Sequence, residues 1–504
     1  MRIKTLHGND YLIAPNIPQT LLLNPVTVYL LALKEKEIEL EEWINRLEEK
    51  PVEIEPGIMA TKEELRYYHG YLLFLERNHY LAEAIRYELT TARYDADAVK
   101  AQLANTHQIV YGVTHSCSLR CVYCGYGEFY HDYDCRENKH IETEDAKKLF
   151  DYMADLFESS LCRKLNKTVA VSFYGGEPLL NMPFIEEMVR YVKSKKVKHK
   201  DFFFSMTTNG VLLDKHLEFL VENRFRVLIS LDGDEIGNSY RVFPDGSSSF
   251  QKVYDNARKI KEKYPGYFES LVDFNAVLND RNSNKEVTDF FRTHFGKDPI
   301  IAEIKSIGIH PAKREDFDKL FKKIYTGLEP QDLIADIKDK DRILKTPFVR
   351  KLSAFLYNCS GFVFKTYDQL LSRRENARFV YTGTCNPFER KIFMDADGKL
   401  FACERIGHQF ALGSVDKKGV HLDFREIAAK YNNYFQKMMP RCNACANSEG
   451  CTVCIFNLNL EKEHPTCASF QTKEEYNQDL SNSMSLLEET PRFYPRIMRD
   501  YQSE

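Results

Sequence analysis

Residues 117–124 read CSLRCVYC, a C-x3-C-x2-C run with Tyr123 directly before the third cysteine. Three thiolates on one short loop can hold three irons of a four-iron cluster. The fourth iron then has no protein ligand and is open to a small molecule that chelates it and accepts an electron. Two plainer readings use the same residues: a zinc ion on Cys117, Cys121 and Cys124 completed by His115, or buried structural cysteines. The motifs further along the chain discriminate between them.

The apolar run VAVSFY breaks into Gly175, Gly176, Glu177 and Pro178, which reads as a buried strand ending in a tight turn. Glycines there let backbone carbonyls approach a ligand, and a carbonyl or carboxylate lip suits an ammonium group. FFFSMTTNG ends at Thr207, Thr208, Asn209 and Gly210; FRVLISLDG ends at Ser230, Leu231, Asp232 and Gly233, with Arg241 shortly after. Singly, each is an ordinary turn signal. In this order behind C-x3-C-x2-C they resemble the radical S-adenosylmethionine (SAM) superfamily. The resemblance implies that the GGE turn holds the amino group of the methionine moiety. It also implies that Tyr123, Gly175, Gly176, Glu177, Pro178, Asn209, Ser230 and Asp232 bind the cofactor, and that Arg241 meets its ribose or carboxylate. Asn238 and Ser239 stand where relatives carry His-Asp before that arginine.

The runs QIVYGVT, TVAVSFY, FFFSMTT, RVLISL, VDFNAVL and IAEIKSIGI alternate with charged, helix-periodic stretches such as TEDAKKLFDYMADLF. This rhythm predicts an α/β fold, a partial, six-stranded (β/α)6 TIM-type barrel over residues 106–315. Chemistry collects at the C-terminal strand ends of such barrels, and the first four runs each end in one of the motifs above.

Of the 13 cysteines, Cys385, Cys403, Cys442, Cys445, Cys451, Cys454 and Cys467 crowd the last part of the chain, a metal signature. FMDADGKLFACE reads as a hairpin turning at Ala396-Asp397-Gly398. Paired C-x2-C units also suit zinc ribbons. A disulfide framework is disfavoured, because the chain begins MRIKTLHGND without an apolar signal region; this predicts a cytoplasmic protein with reduced thiols. The order of the seven resembles the iron-sulfur SPASM extension, departing from it in having two residues rather than three between Cys451 and Cys454. By that family's scheme Cys442, Cys445, Cys451 and Cys467 ligate one auxiliary cluster, and Cys385, Cys403 and Cys454 the other. The second set has either an open iron or Cys359 as its fourth ligand. The resemblance thus implies three 4Fe-4S clusters, SAM as cofactor, and an electron donor such as flavodoxin or ferredoxin. Cys135 and Cys162 read as ordinary loop or buried cysteines.

The first 82 residues predict short strands around Asn9-Asp10, then a helix entered at Asn24-Pro25 and two further helices in EIELEEWINRLEE and TKEELRYYHGYLLFLERNHYL, a winged-helix-like module. LLNPVTVYLLAL is similar to leader-peptide recognition elements, which bind a leader as an added strand at a sheet edge. A DNA-binding winged helix is the competing reading, against which the abundance of Glu and the lack of a basic stripe argue, and a plain packing domain is the other. Residues 83–105 read as a helical linker, 316–384 as a helical bridge, 385–475 as the SPASM domain and 476–504 as a tail. A net charge of -4 argues against nonspecific nucleic-acid binding, and no stretch is long and apolar enough for a membrane span.

These features together predict a radical SAM enzyme that cleaves SAM to a 5'-deoxyadenosyl radical and modifies a precursor peptide carrying a leader, by thioether or carbon-carbon crosslinking. The alternatives are a sulfatase-maturase-like oxidation of Cys or Ser to formylglycine and, from another class, a non-catalytic zinc-ribbon binding protein. No side chain is singled out as a catalytic acid or base.

Overall fold

The computed structural model describes residues 1–14, 19–82, 94–130, 138–163, 168–305, 308–321, 356, 382–448, 451, 453–460, 463, 465–467, 469–489, 491 and 494–495. Cys135, Cys359 and most of the expected helical bridge lie outside them.

The N-terminal module is an antiparallel sheet of β1 (Arg2–Lys4), β2 (Asp10–Ile13) and β3 (Thr20–Leu22), followed by α1 (Pro25–Lys34) and α2 (Leu40–Arg46). A hairpin of β4 (Val52–Glu55) and β5 (Ile58–Ala60) leads into α3 (Lys62–Arg77). The first helix starts where Asn24 accepts from the Val26 N–H at 2.9 Å and Pro25 fills the first helical position, whose N–H would be unpaired in any case. A reciprocal Thr61–Glu64 capping box opens α3. The β4–β5 hairpin is a wing that the sequence reading did not anticipate; its turn carries Gly57 at φ +79°. Leu30, Ile44, Leu65, Leu72 and Leu75 form a core separate from that of the barrel.

The barrel consists of β6 (Gln108–Gly112), β7 (Thr168–Tyr174), β8 (Asp201–Thr208), β9 (Arg226–Ser230), β10 (Val272–Val277) and β11 (Ile300–Ala302), all parallel and each beside the next. Ahead of them lies α4 (Ala96–Leu103); the crossovers are α5 (Thr143–Glu158), α6 (Met182–Ser194), α7 (Leu213–Glu222), the pair α8 (Phe250–Lys263) and α9 (Pro265–Leu271), and α10 (Asn284–Phe295), with α11 (Arg314–Leu320) after β11. The six strands are those expected from sequence. Helix α5 buries Leu149, Phe150, Met153, Leu156 and Phe157, three to four residues apart, so one stripe faces the sheet. Each such side chain contributes roughly 1.5–3 kcal/mol. The partial barrel of the sequence reading is thus continuous, and its register brings Gly112 level with Tyr174 and Thr208 level with Ile229. The four motifs therefore share one rim.

The C-terminal region extends this sheet. Strand β12 (Ile392–Met394) adds to β6 in parallel, and β13 (Lys399–Phe401), β14 (Gly413–Asp416) and β15 (Gly419–Leu422) follow as antiparallel neighbours, making ten strands in one sheet. The hairpin turns at Gly398 (φ +80°), as expected. Helix α12 (Phe424–Ala444) packs on α4, where Tyr94 and Asn432 exchange hydrogen bonds of 3.0 and 2.9 Å. Residues from Tyr94 to Leu460 share one core, so the end of the expected linker is part of the barrel's packing.

Helix α13 (Lys473–Glu489) runs through the expected boundary at 475/476 and docks on the outer edge of β1. Ser481 Oγ donates to the Lys4 carbonyl at 2.6 Å, and the Leu6 N–H donates to Ser485 Oγ at 2.9 Å. Serine hydroxyls here do the work of a neighbouring strand, closing that edge. Replacing both Ser481 and Ser485 by alanine lowers the free energy of unfolding by about 2 kcal/mol, roughly 1 kcal/mol for each lost bond, and speeds amide hydrogen exchange at Leu6.

Candidate functional site

The loop after β6 carries Cys117, Cys121 and Cys124 and is held from three sides by hydrogen bonds. From β7's end, the Gly176 N–H donates to the Thr114 carbonyl at 2.7 Å and the Glu177 N–H to the Ser116 carbonyl at 2.8 Å. From the segment after β9, the Val242 and Tyr240 carbonyls accept from Arg120 and Val122 at 2.7 and 3.0 Å. From β8's end, Asn209 Nδ2 donates to Ser118 Oγ at 3.0 Å and lies 3.6 Å from Cys117 Sγ. The glycines serve this packing. A Cβ on Gly175 would sit 2.6 Å from the Thr114 carbonyl oxygen, and one on Gly176 would overlap the Ser116 carbonyl.

Glu177 is fully buried and turned inward, accepting from Thr208 Oγ1 and the Asn209 N–H at 2.7 Å each and from the Leu179 N–H at 3.1 Å. Burial raises its pKa to about 7, with those three bonds opposing. It ties the GGE turn to the TNG turn. Pro178 opens a short 3-10 turn, and Ser230 lies buried at the end of β9. Asp232 is fully buried; it accepts from the Tyr123 hydroxyl, and from Arg241 Nη2 at 2.9 Å. Asn238, which departs from the superfamily pattern, accepts from the Asp232 N–H at 3.1 Å and so supports the SLDG turn.

His115, a ligand in the zinc reading, has its Nε2 3.8 Å from Asp397 and its ring 6.3 Å from that of Tyr126. Asp397 also pairs with Lys139, fastening the β12–β13 hairpin to the base of the cysteine loop. Phe129 and Tyr130, aromatic residues past the loop, pack with Tyr123 and Phe317 in a small satellite core.

The seven C-terminal cysteines fall into two neighbourhoods. Cys442, Cys445, Cys451 and Cys467 line a cavity of about 70 Å³ with Arg441 and Phe470. Cys385, Cys403 and Cys454 surround the buried Tyr431 hydroxyl, whose pKa is driven far up by burial and by their charge. Among the described residues no cysteine is in a disulfide. Burial and neighbouring thiols push Cys442 up to about 12; burial pushes Cys121 to about 12 and, with the Glu404 charge, Cys403 to about 12. Thiolates persist in such surroundings only around a cationic centre, which fits a metal cluster. Among the described residues no three His, Cys, Asp or Glu side chains converge closely enough for a single ion. Cysteines spread around a cavity suit a multi-atom cluster better than one zinc.

Two features escaped the sequence reading. Lys391 Nζ donates to both oxygens of Glu404 at 3.0 Å, and Glu404 follows Cys403 directly. Burial would raise this carboxyl, but Lys391 and Arg405 overcome it and hold it below the usual carboxylate range. Tyr174, immediately before Gly175, is raised to about 12 by burial and by the charges of Glu404, Cys124 and Cys403. Its hydroxyl thus feels charge from both the first cysteine loop and the second neighbourhood. An acidic residue beside a candidate ligand was the available signal for Glu404; Tyr174 offered none beyond its motif.

A family model described as the radical SAM superfamily matches residues 111–288. The cysteine-type anaerobic sulfatase-maturating enzyme of Clostridium novyi (strain NT) is 30% identical over 364 residues, 69% of this chain and 86% of that protein. The chain belongs to the radical SAM superfamily. It is accordingly an enzyme of the class that uses SAM and a four-iron cluster, and the non-catalytic zinc-ribbon alternative falls. The radical SAM cyclopropyl synthase TigE of Paramaledivibacter caminithermalis is 25% identical over 350 residues, 67% of this chain and 64% of that one. A solved structure titled native anSMEcpe with bound AdoMet shares the fold, with a TM-score of 0.51 at 17% identity, covering 78% of this chain and 99% of that one. Among the described residues no helix is long and apolar enough to cross a membrane.

The glycine packing in this radical SAM enzyme yields a contrast. Gly176→Ala forces the loop backbone apart and lowers the unfolding free energy of the metal-free protein by about 3 kcal/mol or more. Gly70→Ala, in open space on α3, raises it by about 0.5–1 kcal/mol. Chemical denaturation measures both.

Proposed function

We propose that this radical SAM enzyme matures a ribosomally made precursor peptide, installing a thioether or carbon-carbon crosslink, and that its N-terminal module binds the leader as a fourth strand beside β3. The observation carrying this reading is the inequality of the two sheet edges. The Leu23 N–H donates to the Asp10 carbonyl at 2.8 Å, so the alternating antiparallel register turns Leu21 toward β2 and leaves the N–H and C=O of Thr20 and Leu22 pointing outward. The β1 edge is closed by α13, whereas β3 has no outer strand among the described residues, and Leu22 is 60% exposed. An open edge takes an extended peptide through backbone hydrogen bonds.

In this reading Cys117, Cys121 and Cys124 hold the SAM-binding cluster, with Tyr123, Gly175, Gly176, Glu177, Pro178, Asn209, Ser230, Asp232 and Arg241 around the cofactor. Cys442, Cys445, Cys451 and Cys467 hold one auxiliary cluster, and Cys385, Cys403 and Cys454 the other. When bound, the first cluster and SAM supply one-electron cleavage of a carbon-sulfur bond and a 5'-deoxyadenosyl radical that takes a hydrogen atom from the substrate. The chain's own residues hold the substrate carbon in place and keep water out. The auxiliary set gives the remaining substrate electron a destination, and a flavodoxin or ferredoxin in the cytoplasm supplies the first. A second reading, oxidation of a Cys or Ser to formylglycine, draws support from the Clostridium novyi relative.

Anaerobically purified protein carries about twelve irons per chain, as three four-iron clusters require. Substituting Cys117, Cys121 and Cys124 by alanine brings this to about eight and abolishes 5'-deoxyadenosine formation. A leader-bearing peptide encoded beside the gene loses a pair of hydrogens per event by mass spectrometry. Continued 5'-deoxyadenosine formation by the triple variant sinks the cluster assignment, and formylglycine in a sulfatase peptide favours the second reading.

Leu22→Pro removes an outward N–H and spares the ladder to β2. Leader affinity, read by fluorescence anisotropy, falls at least tenfold while the fold is kept; unchanged affinity takes β3 out of the site.

A further inference from the structure

Asp232 is the hub of a buried network under the first cysteine loop. Its Oδ1 accepts from Arg241 Nη2 and from the Val277 N–H, both at 2.9 Å, and its Oδ2 accepts from the Tyr123 hydroxyl. Asn282 Nδ2 donates to its carbonyl at 2.9 Å, so the carboxylate is fixed by backbone as well as side chain. Arg241 is 7% exposed and lies 5.5 Å from the centroid of the Tyr123 ring. The residues on either side of Arg241 are those whose carbonyls accept from Arg120 and Val122, so the segment bearing the guanidinium is laced to the cysteine loop.

One detail of this network is unfinished. Arg241 Nε is buried and has no hydrogen-bond partner among the described residues. A buried donor left unpaired is costly, and a buried ion pair returns its desolvation cost only when its remaining donors are satisfied. The loop laced to Arg241 presents Cys117, Cys121 and Cys124.

We propose that Arg241, clamped by Asp232 and Tyr123, is a positioning residue that directs its Nε–H and its positive charge at the sulfur face of the cluster on this loop and thereby raises that cluster's reduction potential. The inference rests on the assignment of the cluster to Cys117, Cys121 and Cys124. Reduction adds an electron to the cluster, so a fixed cation and an N–H donor beside its sulfurs favour the reduced form. Asp232 holds the cation in place and offsets part of its field. The two charges therefore act with opposite sign.

The test is a redox titration of the anaerobically reconstituted full-length enzyme without SAM, following the paramagnetic signal that is lost in the triple alanine variant and perturbed by added SAM. At a fixed applied potential, Arg241→Gln shifts the ratio of reduced to oxidised cluster at least tenfold toward oxidised, about 59 mV for a one-electron couple. Asp232→Asn shifts it at least tenfold the other way. Tyr123→Phe leaves both charges in place and moves the ratio in the Arg241→Gln direction by less than tenfold. If Arg241→Gln fails to hold the cluster, Arg241→Lys preserves the sign test, staying within threefold of the parent while Asp232→Asn moves up. Equal potentials in the charge variants, or shifts of the same sign in Arg241→Gln and Asp232→Asn, overturn the inference. A rise in the KM for SAM in Arg241→Gln at unchanged potential makes Arg241 a cofactor contact instead. Absence of a four-iron signal in the parent overturns the cluster assignment and this inference with it, whereas equal potentials in variants that keep the signal overturn the inference alone.

Discussion

Two backbone hydrogen bonds, from Gly176 to Thr114 and from Glu177 to Ser116, set the distance between the cysteine loop and the barrel rim. They form only because positions 175 and 176 have no Cβ, since the space a side chain would take is filled by the carbonyls of Thr114 and Ser116. Glu177 then carries the constraint to the next strand end through Thr208 and Asn209, and Asn209 returns it to the loop through Ser118. The rim is a closed circuit of short bonds, and the three thiols hang from it in one place. The cysteine loop is preorganised here by its neighbours rather than by its own sequence.

The same logic joins the parts of the molecule that precede and follow the barrel. Strand β12 pairs with β6, the strand that launches the cysteine loop, so the second group of cysteines is built on an extension of the same sheet. The Lys139–Asp397 pair and Tyr174 connect the two regions at the rim. Helix α13 begins beside Cys445, where the Ala446 N–H donates to the Gln471 carbonyl at 3.0 Å, and ends on β1. The N-terminal sheet and the outer cysteine neighbourhood thus lie at the two ends of one helix.

The strands and most crossovers were legible because hydrophobic runs of period two and helices of period 3.6 are written locally. The Asn24-Pro25 helix start and the Gly398 turn were equally local. The β4–β5 wing was missed because VEIE and IMA are short and mostly exposed, so their pairing depends on the Pro56-Gly57 turn and on the packing of α2 and α3. The Lys391–Glu404 pair was invisible because its members lie just before β12 and just after β13, and only the pairing of those strands brings Nζ within 3.0 Å of the carboxylate. The linker and tail readings differed for a similar reason: Tyr94, Ser481 and Ser485 find their partners hundreds of residues away.

The sequence by itself determined which residue types could bind metal and where the chain must turn, because thiol spacing and glycine placement act over a few bonds. It also determined the order of the barrel, because each strand pairs in parallel with the next in the chain. Tertiary structure alone decided which edge of the N-terminal sheet stays open, which cysteines face one cavity, and that Asp232 gathers Tyr123, Arg241 and Val277 at one carboxylate. Those outcomes depend on directions of hydrogen bonds and on burial, and both exist only once distant segments have packed together.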